Sequence, residues 1–142
     1  GGRLLDAAMA AWRTEYAPCL VLAEVEDPDH HQGSDLTGDP ARRHRFYLAR
    51  GARILDLPYF QPSLGRGRPR VPHLNLMVLH VDPPLHGRTP DTVDATVVRR
   101  YLQGYQRSGE GRVGTDEQST RLWNAIDAHP DGVPYRASAP ST

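Results

Sequence analysis

The twelve residues QPSLGRGRPRVP, positions 61–72, constrain the fold more than any other stretch of this chain. They separate two segments of strand character, ARILDLPYF (Ala52–Phe60) and HLNLMVLHV (His73–Val81). In the first, Leu55, Leu57 and Tyr59 recur at a period of two and share one face. The connection is too long for a tight hairpin and too short for the helical crossover that parallel neighbours require. The two strands are therefore expected side by side and antiparallel.

A third apolar run, CLVLAEV (Cys19–Val25), is too short for a helix and reads as a buried strand, with Glu24 near its end. Helical patterns fill the spaces between. Leu4, Leu5, Ala8, Met9 and Trp12 keep helical spacing between Arg3 and Tyr16, with Asp6, Arg13 and Glu15 opposite, so one buried stripe is expected. EDPDHHQGSDLTGDP has no period and reads as a loop. Asp39 and Pro40 supply an N-cap and first-turn pair for ARRHRFYLAR, which Gly51 can end in the left-handed conformation.

Thr89-Pro90 is expected to start a helix with Val93, Val97, Tyr101 and Tyr105 along one side. TDEQ at Thr115–Gln118 has capping-box spacing ahead of Leu122, Trp123 and Ile126. The fold class is α/β, a mixed sheet with flanking helices over residues 1–85 and a C-terminal helical extension over 86–129. Residues 130–142 are expected to form an unstructured tail. Three strands are few for so many helices, and the pattern reads as part of a larger sheet.

Composition narrows the function classes. A chain of 142 residues is one domain's worth and can bury about two-thirds of its unfolded surface. Basic and acidic residues balance at 17 each, so no net field draws it to nucleic acid or to an anionic membrane. Every base is arginine, which fits a coding bias as well as phosphate recognition. Cys19 is the only cysteine, which excludes an internal disulfide and a cysteine-based metal cage. His30, His31 and His44 lack ligand spacing, and no metal is expected. Neither a signal peptide nor a long apolar span is visible, so a reducing, cytoplasmic setting is expected.

Two local features carry chemistry. Gly1 and Gly2 stand at the N-terminal end of the first helical pattern. Unpaired backbone amides there attract anions, and glycine lets a phosphate approach the backbone. Tyr47 lies four residues before Gly51 on the second helical pattern. A phenol, with a reference pKa near 10 against a thiol's near 8.5, can hold a proton for a departing thiolate.

These stretches together carry a resemblance. GGRLLDAAMAAW, a buried strand, RRHRFYLARGARIL and a strand pair, over residues 1–81, resemble the second half of the GNAT superfamily of acyl-CoA-dependent N-acetyltransferases. Phe46-Tyr47-Leu48-Ala49-Arg50-Gly51-Ala52 is similar to that superfamily's aromatic-Tyr-x-x-x-Gly-Phe-like signature. LPYFQPSL resembles a Tyr-x-Gln-Pro segment of one of its branches. The resemblance implies that Gly1, Gly2 and the Arg3 amide are what remains of the pyrophosphate site for acetyl-CoA, and that Tyr47 is the general acid. Pro40 stands about where many members carry an asparagine, a departure from the pattern.

Glu24, closing a buried strand, is a candidate general base. Tyr59 and Gln61 are candidates for the acceptor pocket from their loop position, and Arg66, Arg68 and Arg70 form either a solvated loop or a site that attracts the cofactor's 3′-phosphate or an acidic substrate. The expected activity is acetyl transfer from acetyl-CoA to a small-molecule or peptide primary amine, by the intact form of an enzyme of which this is the C-terminal part. The alternative is a truncated or degenerate module without catalysis that pairs with another copy or a partner chain through an open sheet edge.

Overall fold

In a computed structural model that describes residues 1–33 and 38–137, the elements follow in the order α1 (Gly2–Glu15), β1 (Leu20–Glu26), α2 (Pro40–Ala49), β2 (Arg53–Ile54) and β3 (Leu74–Val81). A 3-10 turn (Pro83–Leu85), β4 (Thr92–Val93), α3 (Ala95–Glu110), α4 (Glu117–Asp127) and β5 (Val133–Pro134) complete it. The fold is α/β, and every strand pair is antiparallel among the described residues. The main sheet has the order β1-β3-β2, and β4 and β5 form a separate two-stranded ribbon. No helix among the described residues is long and apolar enough to cross a membrane.

β3 lies between its neighbours with five consecutive buried residues, Leu74–Val78, because both faces of the sheet are covered. On one face Leu74, Leu76 and Val78 join Leu55, Leu57, Tyr59, Val98, Leu102, Leu122 and Ile126 in the main core. On the other, Met77 packs with Val25 and Ala52 under Tyr47 of α2. The expected boundary at residue 85 falls inside the main core, since Val93, Val98, Leu102 and Leu122 share it with β3.

The ladder between β1 and β3 contains a bulge. Val21 faces His80 while Leu22 faces Val78, which leaves Leu79 as an extra residue on β3. An extra residue changes which face the following side chains take. Val81 accordingly packs on the main core, and His80 faces away from it with Asp82 beyond.

Several boundaries differ from the sequence expectation for local physical reasons. The strand expected over Ala52–Phe60 pairs with β3 in a ladder only at Arg53–Ile54, extended by one bond from Leu55 N–H to Leu76 O at 2.9 Å. Past that point the chain turns to the C-terminal segment: Asp56 N–H donates to Pro134 O and Arg136 N–H to Ile54 O. Leu55, Leu57 and Tyr59 are nevertheless all buried. The residues 130–137 expected in a tail are thus structured, through β5, the Leu55–Tyr135 bridge and two hydrogen bonds from Arg136 to Asn75 and Leu57. Residues 138–142 of that tail, and 34–37 of the loop before Asp39, lie outside the described residues.

The helix expected from Thr89-Pro90 begins later because Asp94, whose side chain accepts from Val97 N–H, is the better cap. Val93 is a buried strand residue, and the core stripe of α3 is Val98, Leu102 and Gln106. α4 is capped by Asp116 rather than by Thr115. Asp39 and Pro40 start α2 as expected, and Gly51 follows its end at φ +83°. α1 forms but buries none of its residues, leaving Leu4, Trp12 and Tyr16 exposed.

The 61–72 loop is held by Arg70. Its guanidinium forms a bidentate pair with Glu110 at the end of α3 (2.8 Å on both bonds) and reaches Asp116 at the start of α4 (2.6 Å). Ser63 N–H donates to the same Glu110, and Gln61 and Val71 exchange both backbone bonds at the neck of the loop.

Two glycines give opposite expectations. Gly132 sits at φ +142° where a Cβ would collide with Thr92, so Gly132→Ala should destabilise the protein by about 1–3 kcal/mol. Gly104, inside α3 with open space where its Cβ would stand, should gain up to about 1 kcal/mol as alanine. Chemical-denaturation midpoints of the two variants check both signs.

Candidate functional site

The start of α1 faces α2. Gly2 leaves room for the Arg50 guanidinium, which lies where a side chain at that position would begin, and Gly1 lies near the Phe46 ring. Arg50 stacks over Phe46 at 4.4 Å and pairs with Asp6 of α1 at 3.6 Å. Tyr47 precedes Arg50 by three residues, on the same side of α2. Its ring meets Phe46 edge-on at 5.3 Å, and its body packs against Val25, Ala52 and Met77. Backbone amides at a helix start, a guanidinium and a phenol thus adjoin along one helix–helix seam. The amides attract an anion and the phenol can donate a proton, while the guanidinium is shared between Asp6 and the Phe46 ring.

Glu24, Tyr59 and Gln61 meet in a second cluster, on the opposite face of the sheet. Tyr59 OH donates to Glu24 Oε1 at 2.7 Å and Gln61 Nε2 donates to Oε2 at 2.6 Å. Tyr105 and Tyr101 of α3 lie close enough to feel the Glu24 charge. Tyr101 and Tyr105 are in edge-on contact, with ring centres 6.1 Å apart. Burial, followed by the Glu24 charge, holds the Tyr59 phenol well above its ordinary range. The same causes raise Tyr101 and push Tyr105 up to about 12.

The structure therefore joins three of the sequence candidates and separates them from the others. Glu24 belongs with Tyr59 and Gln61; it does not meet Tyr47, which packs on the far side of β1 with Val25. Successive strand residues point to opposite faces, and Glu24 and Val25 are successive. A carboxylate already gripped by Tyr59 and Gln61 is a positioning group more than a free base. Arg70 is committed to Glu110 and Asp116 and is not open to a cofactor phosphate.

Sequence reasoning missed Tyr101, Tyr105 and Arg50. The tyrosines had a legible signal, since they keep helical spacing, but it reads as core packing. Tyr101 is instead 47% exposed and lines a groove with Trp12, Tyr16 and Leu22. A further trio, Cys19, His80 and Asp82, is brought together by the β1–β3 ladder alone.

The raised phenols fix a pH dependence. Above about pH 10 the unfolded chain loses phenol protons that Tyr59 and Tyr105 keep when folded. The unfolded state then binds fewer protons, so stability should fall as pH rises from about 10 toward 12. Glu24→Gln should flatten that decline, measured by denaturant unfolding across the alkaline range with phenolate absorbance recorded in parallel. The chain matches no family model, no curated protein and no solved structure.

Proposed function

We propose that this chain is part of an acyl-CoA-dependent N-acetyltransferase that moves an acetyl group from acetyl-CoA to a primary amine by direct attack on the thioester. The observation that carries the reading is the α1–α2 seam, where Gly1, Gly2 and Arg50 adjoin the helix turn that bears Tyr47. Amides at the start of α1 suit a pyrophosphate, and the Tyr47 phenol, which lies toward the sheet, suits the sulfur at the far end of the cofactor's pantetheine arm. The succession of helix, buried strand, helix and antiparallel strand pair agrees with the superfamily pattern in the sequence.

In that reaction the amine nitrogen bonds to the thioester carbonyl carbon and the carbon–sulfur bond breaks. The amine proton passes to water, and Tyr47 gives its proton to the departing thiolate, to be reprotonated from solvent. Holding the two reactants together supplies most of the rate, since thioester aminolysis depends on proximity and orientation. Glu24, Tyr59 and Gln61 act on the other face, as a polar cluster flanked by tyrosines.

One observation favours a second reading. The outer edge of β1 has no strand partner among the described residues, and Trp12 and Tyr16, at the end of α1, stay exposed in a groove bordered by Leu20 and Leu22 of β1. An unpaired edge next to a bare apolar helix face suits addition of a strand from another chain. On this reading the chain is a non-catalytic module of the same fold, and the seam is a relic.

Thiol release from acetyl-CoA in the presence of a panel of primary amines separates the two. Turnover is expected when the remainder of the enzyme is supplied, with Tyr47→Phe in that intact form lowering kcat by about a hundredfold or more and leaving the KM for acetyl-CoA nearly unchanged. Coenzyme A at a hundred times its Kd should add about 2.7 kcal/mol to stability, several degrees in Tm. A folded protein that shows neither turnover nor a thermal shift, and that elutes as a dimer or larger, would establish the module reading instead.

A further inference from the structure

Cys19, His80 and Asp82 stand at the end of the ladder where β1 begins and β3 ends. Asp82 N–H donates to Cys19 O at 3.0 Å, and Cys19 N–H donates to Asp82 Oδ2 at 2.6 Å, so the two backbones are locked together. His80 Nε2 lies 2.8 Å from the other oxygen, Asp82 Oδ1. The bulge at Leu79 is what turns His80 to this face, two residues before Asp82. One thiol sulfur, one imidazole nitrogen and one carboxylate oxygen then lie within 4.8 Å of one another.

We propose that Cys19, His80 and Asp82 form a binding site for a thiophilic divalent metal ion of the zinc class. Sulfur, nitrogen and oxygen donors in this combination match that ion, whose bonds of about 2.0–2.3 Å draw three donors into a tighter cluster than the one seen. Binding forms bonds to Sγ, to a ring nitrogen of His80 and to a carboxylate oxygen. The thiol proton leaves to solvent, and the ion takes the place of the hydrogen between His80 and Asp82, a ring proton being retained on the other imidazole nitrogen after exchange with solvent so that His80 binds as the neutral imidazole.

Access and a further ligand position are both available. Asp82 borders a cleft of about 710 Å³ with Arg13, Thr14 and Pro83, and His80 borders another of about 290 Å³ with Arg53 and His86. Three protein ligands beside open clefts leave a fourth position for water or a small anion. The site also explains why chain spacing gave no hint of a metal, because 63 residues separate Cys19 from Asp82.

Cobalt(II) titration of the full chain tests the assignment. Because Cys19 is the only cysteine, a near-ultraviolet thiolate-to-cobalt absorption band can come from this site alone. The expected result is such a band saturating at one equivalent and bleached by one equivalent of zinc. His80→Asn and Asp82→Asn should each weaken cobalt affinity at least about tenfold, read from the same band with folding checked by circular dichroism. No band from folded wild-type protein at excess cobalt overturns the proposal. So does a band that both variants retain at unchanged affinity, since the ion would then be held by Cys19 without its neighbours.

Discussion

The antiparallel ladder between β1 and β3 is the constraint on which the other arrangements depend. β3 takes β1 on one edge and β2 on the other, so its register decides which side chains face α3 and α4 and which face α2. Glu24 opposite Leu76 goes to the main core side, where Tyr59 and Gln61 hold it; Val25 opposite Asn75 goes to the side of Tyr47. A slip of one residue would exchange those two faces and bury the Glu24 carboxylate against Met77 and Ala52. The bulge at Leu79 makes one deliberate exception, and it is there that Cys19, His80 and Asp82 gather.

Polar contacts tie the peripheral segments to that ladder. Asn75, buried in β3, bonds to His44 of α2 and accepts from Arg136, so one amide links a helix and the C-terminal segment across the sheet. Arg70 does the same for the long loop, holding it between the end of α3 and the start of α4. Gln106 is buried yet satisfied, donating to Ser119 and accepting from Gly114 N–H, which fixes α3 against α4. Each is a buried or half-buried polar group whose loss would leave its partners unpaired, a cost larger than the bond itself contributes. Arg70 shows how much the surroundings decide. Three arginines in a Gly/Pro loop read as a cationic surface, but two acidic neighbours turn this one into a strut.

The functional groups divide along the same plane. One face carries the α1–α2 seam with Gly2, Arg50 and Tyr47; the other carries the Glu24 carboxylate among three tyrosines. Water has partial access to both, because β1 is an edge strand and α1 covers little of it. Trp12 and Tyr16, at the C-terminal end of α1, border a groove with Leu20 and Leu22 of β1.

Local chemistry was legible wherever a residue acts on its near neighbours. Asp39 caps α2 because its carboxylate reaches an amide two residues on, and Gly51 follows because it tolerates a positive φ. The apolar runs at Cys19–Val25 and His73–Val81 are strands because only a sheet buries so many successive apolar residues in so short a length. Contacts between distant segments were not legible. Val93 keeps helical spacing with Val97 but is a strand residue because Val133 pairs with it, and the strand after Arg53–Ile54 stops because Pro134 and Arg136 compete for its backbone. Glu24, Tyr59 and Gln61 were each visible as polar residues near strand ends; their meeting depends on how β1 and the 61–72 loop converge. The sequence by itself determined helices, strands and caps, whose energies are set within a few residues. Only the tertiary structure decided which faces those elements share, because register and bulge are properties of two strands together and of neither alone.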